Sequence, residues 1–103
     1  CIECLIELYE EKEIDKLDFD LMKIIGVNNR DLKTLTIDLN HSIEMSRHIP
    51  KDVTLVSESG IQKFEDLQRL RDAGINAALI GEYFMKSEQP GKALNNLLEK
   101  LKQ

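Results

Sequence analysis

Ile24-Ile25-Gly26-Val27-Asn28-Asn29-Arg30-Asp31-Leu32 is a short apolar run that ends at once in two amides, a guanidinium and a carboxylate. A run of this length with polar, turn-forming residues behind it reads as a buried strand. Its end carries Asn28 and Arg30 to the rim of a sheet, where their donors suit a carboxylate, a phosphate or a sugar hydroxyl. Three more apolar runs end in a similar way. Cys4–Tyr9 carries Glu7 near its end, Val53–Ser57 leads into Glu58-Ser59-Gly60, and Ala77–Ile80 leads into Gly81-Glu82. With Lys23–Val27 these runs predict four strands.

Helical spacing separates them. From Glu10 to Leu21, Ile14, Leu17 and Leu21 recur three and four apart behind an acidic first turn, which suits the helix dipole. A second helix is predicted from Asn40, read as its N-cap, to His48, with Ile49-Pro50 closing it. A third runs from Lys63 to Ala73, with Phe64, Leu67, Leu70 and Ala73 on one face and Gly74 as its C-cap. Gly81-Glu82-Tyr83-Phe84-Met85 reads as a tight turn into a short helix. Pro90 opens a last helix whose apolar face is Ala93, Leu94, Leu97, Leu98 and Leu101.

Continuous apolar strands alternating with amphipathic helices predict an α/β fold with a parallel sheet covered by helices. A closed (β/α)8 barrel takes about 200–250 residues; four strand–helix units make half of one. An open half leaves two strand edges and the inner sheet face bare, so it is expected to join a missing half-barrel or to self-associate.

The 103 residues, 42% hydrophobic and 32% charged, suit one domain or part of one. A net charge of −5, with 14 basic and 19 acidic residues, argues against a nucleic-acid surface, which would carry a basic stripe. No apolar stretch approaches the roughly 20 residues of a membrane span, and no signal peptide is visible. A reducing cytoplasm is the expected setting. Cys1 and Cys4 form a C-x-x-C, but a zinc site needs four ligands and only His41 and His48 remain, far along the chain. A redox pair would sit at a helix N-terminus, whereas this one leads into a strand. The pair is read as small buried residues at a strand start, with no metal or cofactor. The two histidines are expected at the surface.

In barrels of this kind the site is built from the C-terminal strand ends and the loops behind them. Ser59-Gly60 and Gly81 would let backbone N–H groups approach an anion, at the start of an extra helix near Glu82; the same glycines also suit plain turns. Glu7, desolvated by its apolar strand, would have a raised pKa and act as acid or base, or else point outward to a lysine. Arg30 would grip a substrate carboxylate as a fork, or else pair with Asp31 or a nearby loop. Glu58 would orient a substrate or a lysine, or hold Arg30.

Ile25-Gly26-Val27-Asn28-Asn29-Arg30-Asp31-Leu32-Lys33-Thr34, Ser57-Glu58-Ser59-Gly60-Ile61 and Leu79-Ile80-Gly81-Glu82, with Leu5-Ile6-Glu7 before them, resemble the C-terminal half of indole-3-glycerol phosphate synthase. The resemblance covers nearly the whole chain in order. It implies a (β/α)8 barrel of tryptophan biosynthesis, of which residues 1–103 are the fifth to eighth strand–helix units. The implied activity is a cofactor-free carbon–carbon lyase. It closes the indole ring of 1-(2-carboxyphenylamino)-1-deoxyribulose 5-phosphate with loss of CO2 and water.

By the same resemblance Glu7 is the general base of the dehydration, and Asn28 and Glu58 line the catalytic site. Asn28, Arg30 and Ser59 hold the substrate. Ser59, Gly60, Gly81 and Glu82 bind its phosphate, largely through backbone. The family takes its general-acid lysine, and a second lysine with a glutamate partner, from strands that nothing here matches, so the chain alone is expected to be inactive. A non-catalytic, self-associating phosphate-binding half-barrel and another sugar-phosphate barrel enzyme are the alternatives. Arg30 separates the second, because an Asn-x-Arg at a strand end has no clear task in a sugar isomerase.

Overall fold

A computed structural model describes residues 4–102. In chain order the elements are β1 (Ile6–Leu8), a 3-10 helix (Glu11–Lys16), β2 (Ile24–Asn28), α1 (Asn40–Ser46), β3 (Thr54–Glu58), α2 (Phe64–Asp72), β4 (Ala77–Leu79), α3 (Glu82–Met85) and α4 (Pro90–Leu101). The four strands form one sheet in the order β1-β2-β3-β4, and every neighbouring pair is parallel. Parallel neighbours in sequence order, each joined through a helix, are half the strand complement of a (β/α)8 barrel in that barrel's own order.

Register assigns the two faces. Ile6 pairs with Ile25, Leu8 with Val27, Ile25 with Leu55 and Val27 with Ser57. Paired residues in adjacent strands point the same way, and alternate residues along a strand point oppositely. Ile25, Val27, Leu8 and Leu55 therefore share one face. There they pack with Leu39, Met45, Leu67, Leu70 and Leu97 from the helices and loops. Burial of Ile25 and Val27 is complete. The opposite face carries Glu7, Gly26, Val56 and Ala77, and above them Asn28, Glu58 and Leu79. No helix of the described chain covers that face, and Leu5 and Leu79 are 47% and 58% exposed there.

The last three helices form where they are expected. Leu67 and Leu70 are buried on α2, Gly74 ends it at φ +84, and Pro90 stands in the first turn of α4. Five expectations are corrected. The helix expected over Glu10–Leu21 is a 3-10 helix over Glu11–Lys16. Glu13 closes its start by accepting the Glu10 N–H at 2.8 Å, and Asp18 ends the segment by drawing the Asp20 N–H onto its own carboxylate at 3.0 Å. Aspartate competes for the backbone in this way and favours turns over helix interiors. Leu21, released from the helical face, is 79% exposed.

Asn40 is the first residue of α1, not its cap; its N–H donates to Asp38 Oδ1 at 3.0 Å. Cys4 is exposed, not buried, because it lies ahead of β1; Cys1 falls outside the described residues. Leu94 and Leu98 are 42% and 46% exposed, so of the α4 stripe only Leu97 is fully buried. His48 is at the surface, 3.3 Å from Glu11 Oε1, whereas His41 is half-buried, its ring against Tyr9. No helix among the described residues is long and apolar enough to cross a membrane.

Candidate active site

The C-terminal ends of the strands meet on the uncovered face. Asn28 and Glu58 are paired last residues of β2 and β3, each one position deeper in its strand than the sequence suggests. Glu7 lies one strand over, opposite Gly26. Asn28 joins three strand ends through one amide. Its Nδ2 donates to Glu7 Oε1 at 3.1 Å, and its Oδ1 accepts from the Arg30 N–H and from Ser59 Oγ, both at 3.0 Å. A side chain with donors on one branch and acceptors on the other is required for this, which is why an amide stands here.

Glu58 is 8% exposed, and its Oε2 has no hydrogen-bond partner among the described residues. Gly26 makes its position possible, since a Cβ there would lie 2.5 Å from Glu58 Oε2. Burial, and then the negative charge of Glu7, push the Glu58 carboxyl above its ordinary value. The desolvation expected at Glu7 thus falls on Glu58. β1 is the edge strand and Glu7 is exposed, whereas Glu58 sits between two strands. An orphaned, buried acceptor beside a second carboxylate can take a hydrogen bond from a donor that enters the site.

A folded-state value above the unfolded 4.5 means that the native state binds the proton more tightly. Stability from this group is then lost as pH rises from about 4.5 through the folded value. Glu58→Gln should therefore stabilise the protein at pH 8 and lose that advantage near pH 4. Denaturant midpoints at the two pH values read this directly; an advantage independent of pH would show that the carboxyl is not shifted above its ordinary value.

Arg30 pairs with Glu82, Nη2 to Oε1 at 2.9 Å, and so links the loop after β2 to the start of α3. Of the partners weighed for Arg30, neither Asp31 nor Glu58 takes this role; Asp31 accepts the Lys33 N–H at 2.8 Å instead. Beneath the ion pair lies a cleft of about 360 Å³ lined by Arg30, Ile37, Ser59, Gly60, Gly81 and Glu82, among others. The residues expected to hold a phosphate are together there. Ser59 and Gly60 turn the chain at φ +71 and +85, and a Cβ on Gly60 would meet Ile37 Cγ2 at 2.7 Å. At Gly81 nothing lies within 4 Å of a Cβ position, so glycine there only leaves the rim of the cleft bare. Ser59 Oγ is committed to Asn28.

Asn29 is the residue whose part the sequence reading left unassigned. It is 2% exposed and faces away from Asn28, into the layer under α1, where it bonds Ser42, Ser57 and the Ser59 carbonyl. Strand alternation alone places one of two consecutive amides on the covered side, and a buried amide demands partners.

A family model described as indole-3-glycerol phosphate synthase matches residues 1–97. Curated proteins named indole-3-glycerol phosphate synthase are similar along the chain. The one from Salinibacter ruber is 48% identical over 96 residues, which are 93% of this chain and 36% of that protein. Those from Acetivibrio thermocellus and Bacteroides thetaiotaomicron are 43% and 42% identical over 84% and 95% of this chain, and 33% and 37% of their own lengths. The chain spans about a third of the length of these relatives.

Proposed function

We propose that this chain, which belongs to the indole-3-glycerol phosphate synthase family, is the (β/α)4 half of a cytoplasmic barrel enzyme of tryptophan biosynthesis. The reaction closes the indole ring of 1-(2-carboxyphenylamino)-1-deoxyribulose 5-phosphate. The ring carbon that bears the carboxylate bonds to the ketone carbon of the sugar. Its bond to the carboxylate then breaks, releasing CO2 and returning the electron pair to the aromatic ring. The hydroxyl left on the former ketone carbon departs as water, with a proton from the neighbouring CH2.

The observation that carries this reading is the convergence of Glu7, Asn28 and Glu58 on one sheet face, beside a cleft that holds Arg30, Ser59, Gly60, Gly81 and Glu82. In it Glu7 takes the CH2 proton in the dehydration. Asn28 holds Glu7 and a substrate oxygen. Glu58 accepts from a substrate hydroxyl, which satisfies its free Oε2. Arg30 grips the substrate carboxylate, and the Ser59-Gly60 and Gly81-Glu82 turns hold the phosphate through their backbone.

A general acid is also needed, for the ketone oxygen and the departing hydroxyl. Among the described residues no lysine ends a strand: Lys23 precedes β2 and lies 3.4 Å from Asp52. The acid is therefore assigned to the remaining strand–helix units, which would also cover Leu5 and Leu79 on the open face. The chain alone should not turn over, and should elute above its 11.8 kDa because that face pairs with a second copy. Adding the first four strand–helix units of the enzyme as a separate chain should restore activity and dissolve the self-association. Assembly without activity would favour a non-catalytic phosphate-binding half-barrel, and a compact monomer would count against the half-barrel altogether.

A further inference from the structure

Behind the strand ends, on the side away from the candidate substrate, three buried side chains form a closed ring of hydrogen bonds. Ser42 and Ser57 are wholly buried and Asn29 is 2% exposed. Asn29 Oδ1 accepts from the Ser42 N–H at 2.9 Å and from Ser42 Oγ at 2.7 Å. The backbone donor fixes the amide orientation, since a flipped amide would set N–H against N–H. Having given its only proton to Asn29, Ser42 Oγ must accept at 2.8 Å from Ser57 Oγ. Ser57 in turn accepts from Asn29 Nδ2 at 2.9 Å. One Asn29 proton remains, and it goes to the Ser59 carbonyl at 2.9 Å.

That last bond reaches the mouth of the site. The Ser59–Gly60 peptide is trans, so its N–H points opposite to its carbonyl. With the carbonyl drawn inward to Asn29, the Gly60 N–H is turned outward, where Gly60 lines the cleft. Among the described residues that N–H has no hydrogen-bond acceptor. Ser59 takes a positive φ of 71, unfavourable for a residue with a side chain, and is tied at both its carbonyl and its hydroxyl, to Asn29 and to Asn28.

We propose that Asn29 is a positioning residue: its side-chain amide sets the Ser59–Gly60 peptide plane and so aims the Gly60 N–H at an anion in the cleft. This rests on the phosphate reading given above. Asn29→Asp is the informative variant: ionised, it keeps the acceptor for Ser42 and has no donor for Ser57 and Ser59, and because it also adds a charge, the orientation of the Ser59–Gly60 plane is read alongside phosphate affinity. Ser42→Ala is its counterpart, which weakens the ring but leaves the Asn29 bond to Ser59.

Titration of the complete enzyme with inorganic phosphate should show binding about tenfold weaker or worse in Asn29→Asp, and nearly unchanged in Ser42→Ala despite a lowered Tm. Equal losses in the two, scaling with Tm, would overturn the proposal. In a crystal structure of Asn29→Asp the Ser59–Gly60 plane should have rotated; an unmoved plane overturns the proposal whatever the phosphate result. If the unmodified enzyme binds no phosphate while the plane rotates, the phosphate reading falls and the positioning of the turn stands. Should Asn29→Asp not fold, hydrogen exchange on the unmodified enzyme decides: both Asn29 side-chain amide protons must exchange slowly, and fast exchange overturns it.

Discussion

Glu7→Gln should lower kcat of the complete enzyme by about 100- to 10,000-fold with little change in KM, the range typical of losing a positioned general base. The substitution suits the site. Glutamine keeps an acceptor at the place of Oε1, so the 3.1 Å bond from Asn28 Nδ2 can persist and the strand ends stay tied. Glutamine and glutamate differ by one terminal group of nearly equal size, so the packing at the strand end is kept and Tm should hold. Only the capacity to take a proton goes. A base acts in the transition state and contributes little to ground-state binding, which is why the loss should fall on kcat. Steady-state kinetics of the two proteins checks this. A change confined to KM would reduce Glu7 to a binding group and move the base elsewhere, Glu58 being the nearest candidate because its carboxyl is already biased toward holding a proton.

The contrast between Glu7 and Glu58 also marks where the sequence could be read and where it could not. Apolar runs, helical spacings and turn residues predict all four strands and all four α-helices, α1 with its cap misplaced by one residue, because burial of one face imposes its period on the residues and turns need particular ones. The strand ends were legible for the same reason: polar groups directly after an apolar run must lie at a sheet rim. Which of the two glutamates is desolvated was not, since both stand at the ends of strand-forming runs. That depends on which strand is the edge, and on a glycine in the neighbouring strand, Gly26, that leaves room for the Glu58 carboxylate. The first helix failed where Asp18 turned its own backbone, a local competition that periodicity does not see. The cooperation of Asn29, Ser42 and Ser57 is spread over three elements and 28 residues of chain. Only the need of a buried amide for partners announces it in advance.

Arg30→Ala should act on the opposite kinetic parameter, raising KM by about 10- to 100-fold with kcat changed far less, the loss expected for a charge-assisted pair with a carboxylate. The group that Arg30 is proposed to hold is the one that leaves as CO2. Its charge is greatest in the ground state and falls as the carbon–carbon bond breaks, so a cation on it favours binding over that step. Arg30→Lys should recover only part of the affinity, because an ammonium keeps the charge and loses the fork. Glu82 supplies the sign test. It neutralises Arg30 at 2.9 Å and sets a negative charge on a cleft proposed for phosphate. The pair is partly exposed, at 33% and 64%, so its contribution to stability should be below about 1 kcal/mol. Glu82→Gln should then leave Tm nearly unchanged while lowering KM, as Arg30 is released to the substrate and the like charge is removed. If Glu82→Gln raises KM instead, the ion pair is what holds Arg30 in its productive orientation, and the carboxylate grip depends on Glu82 rather than competing with it.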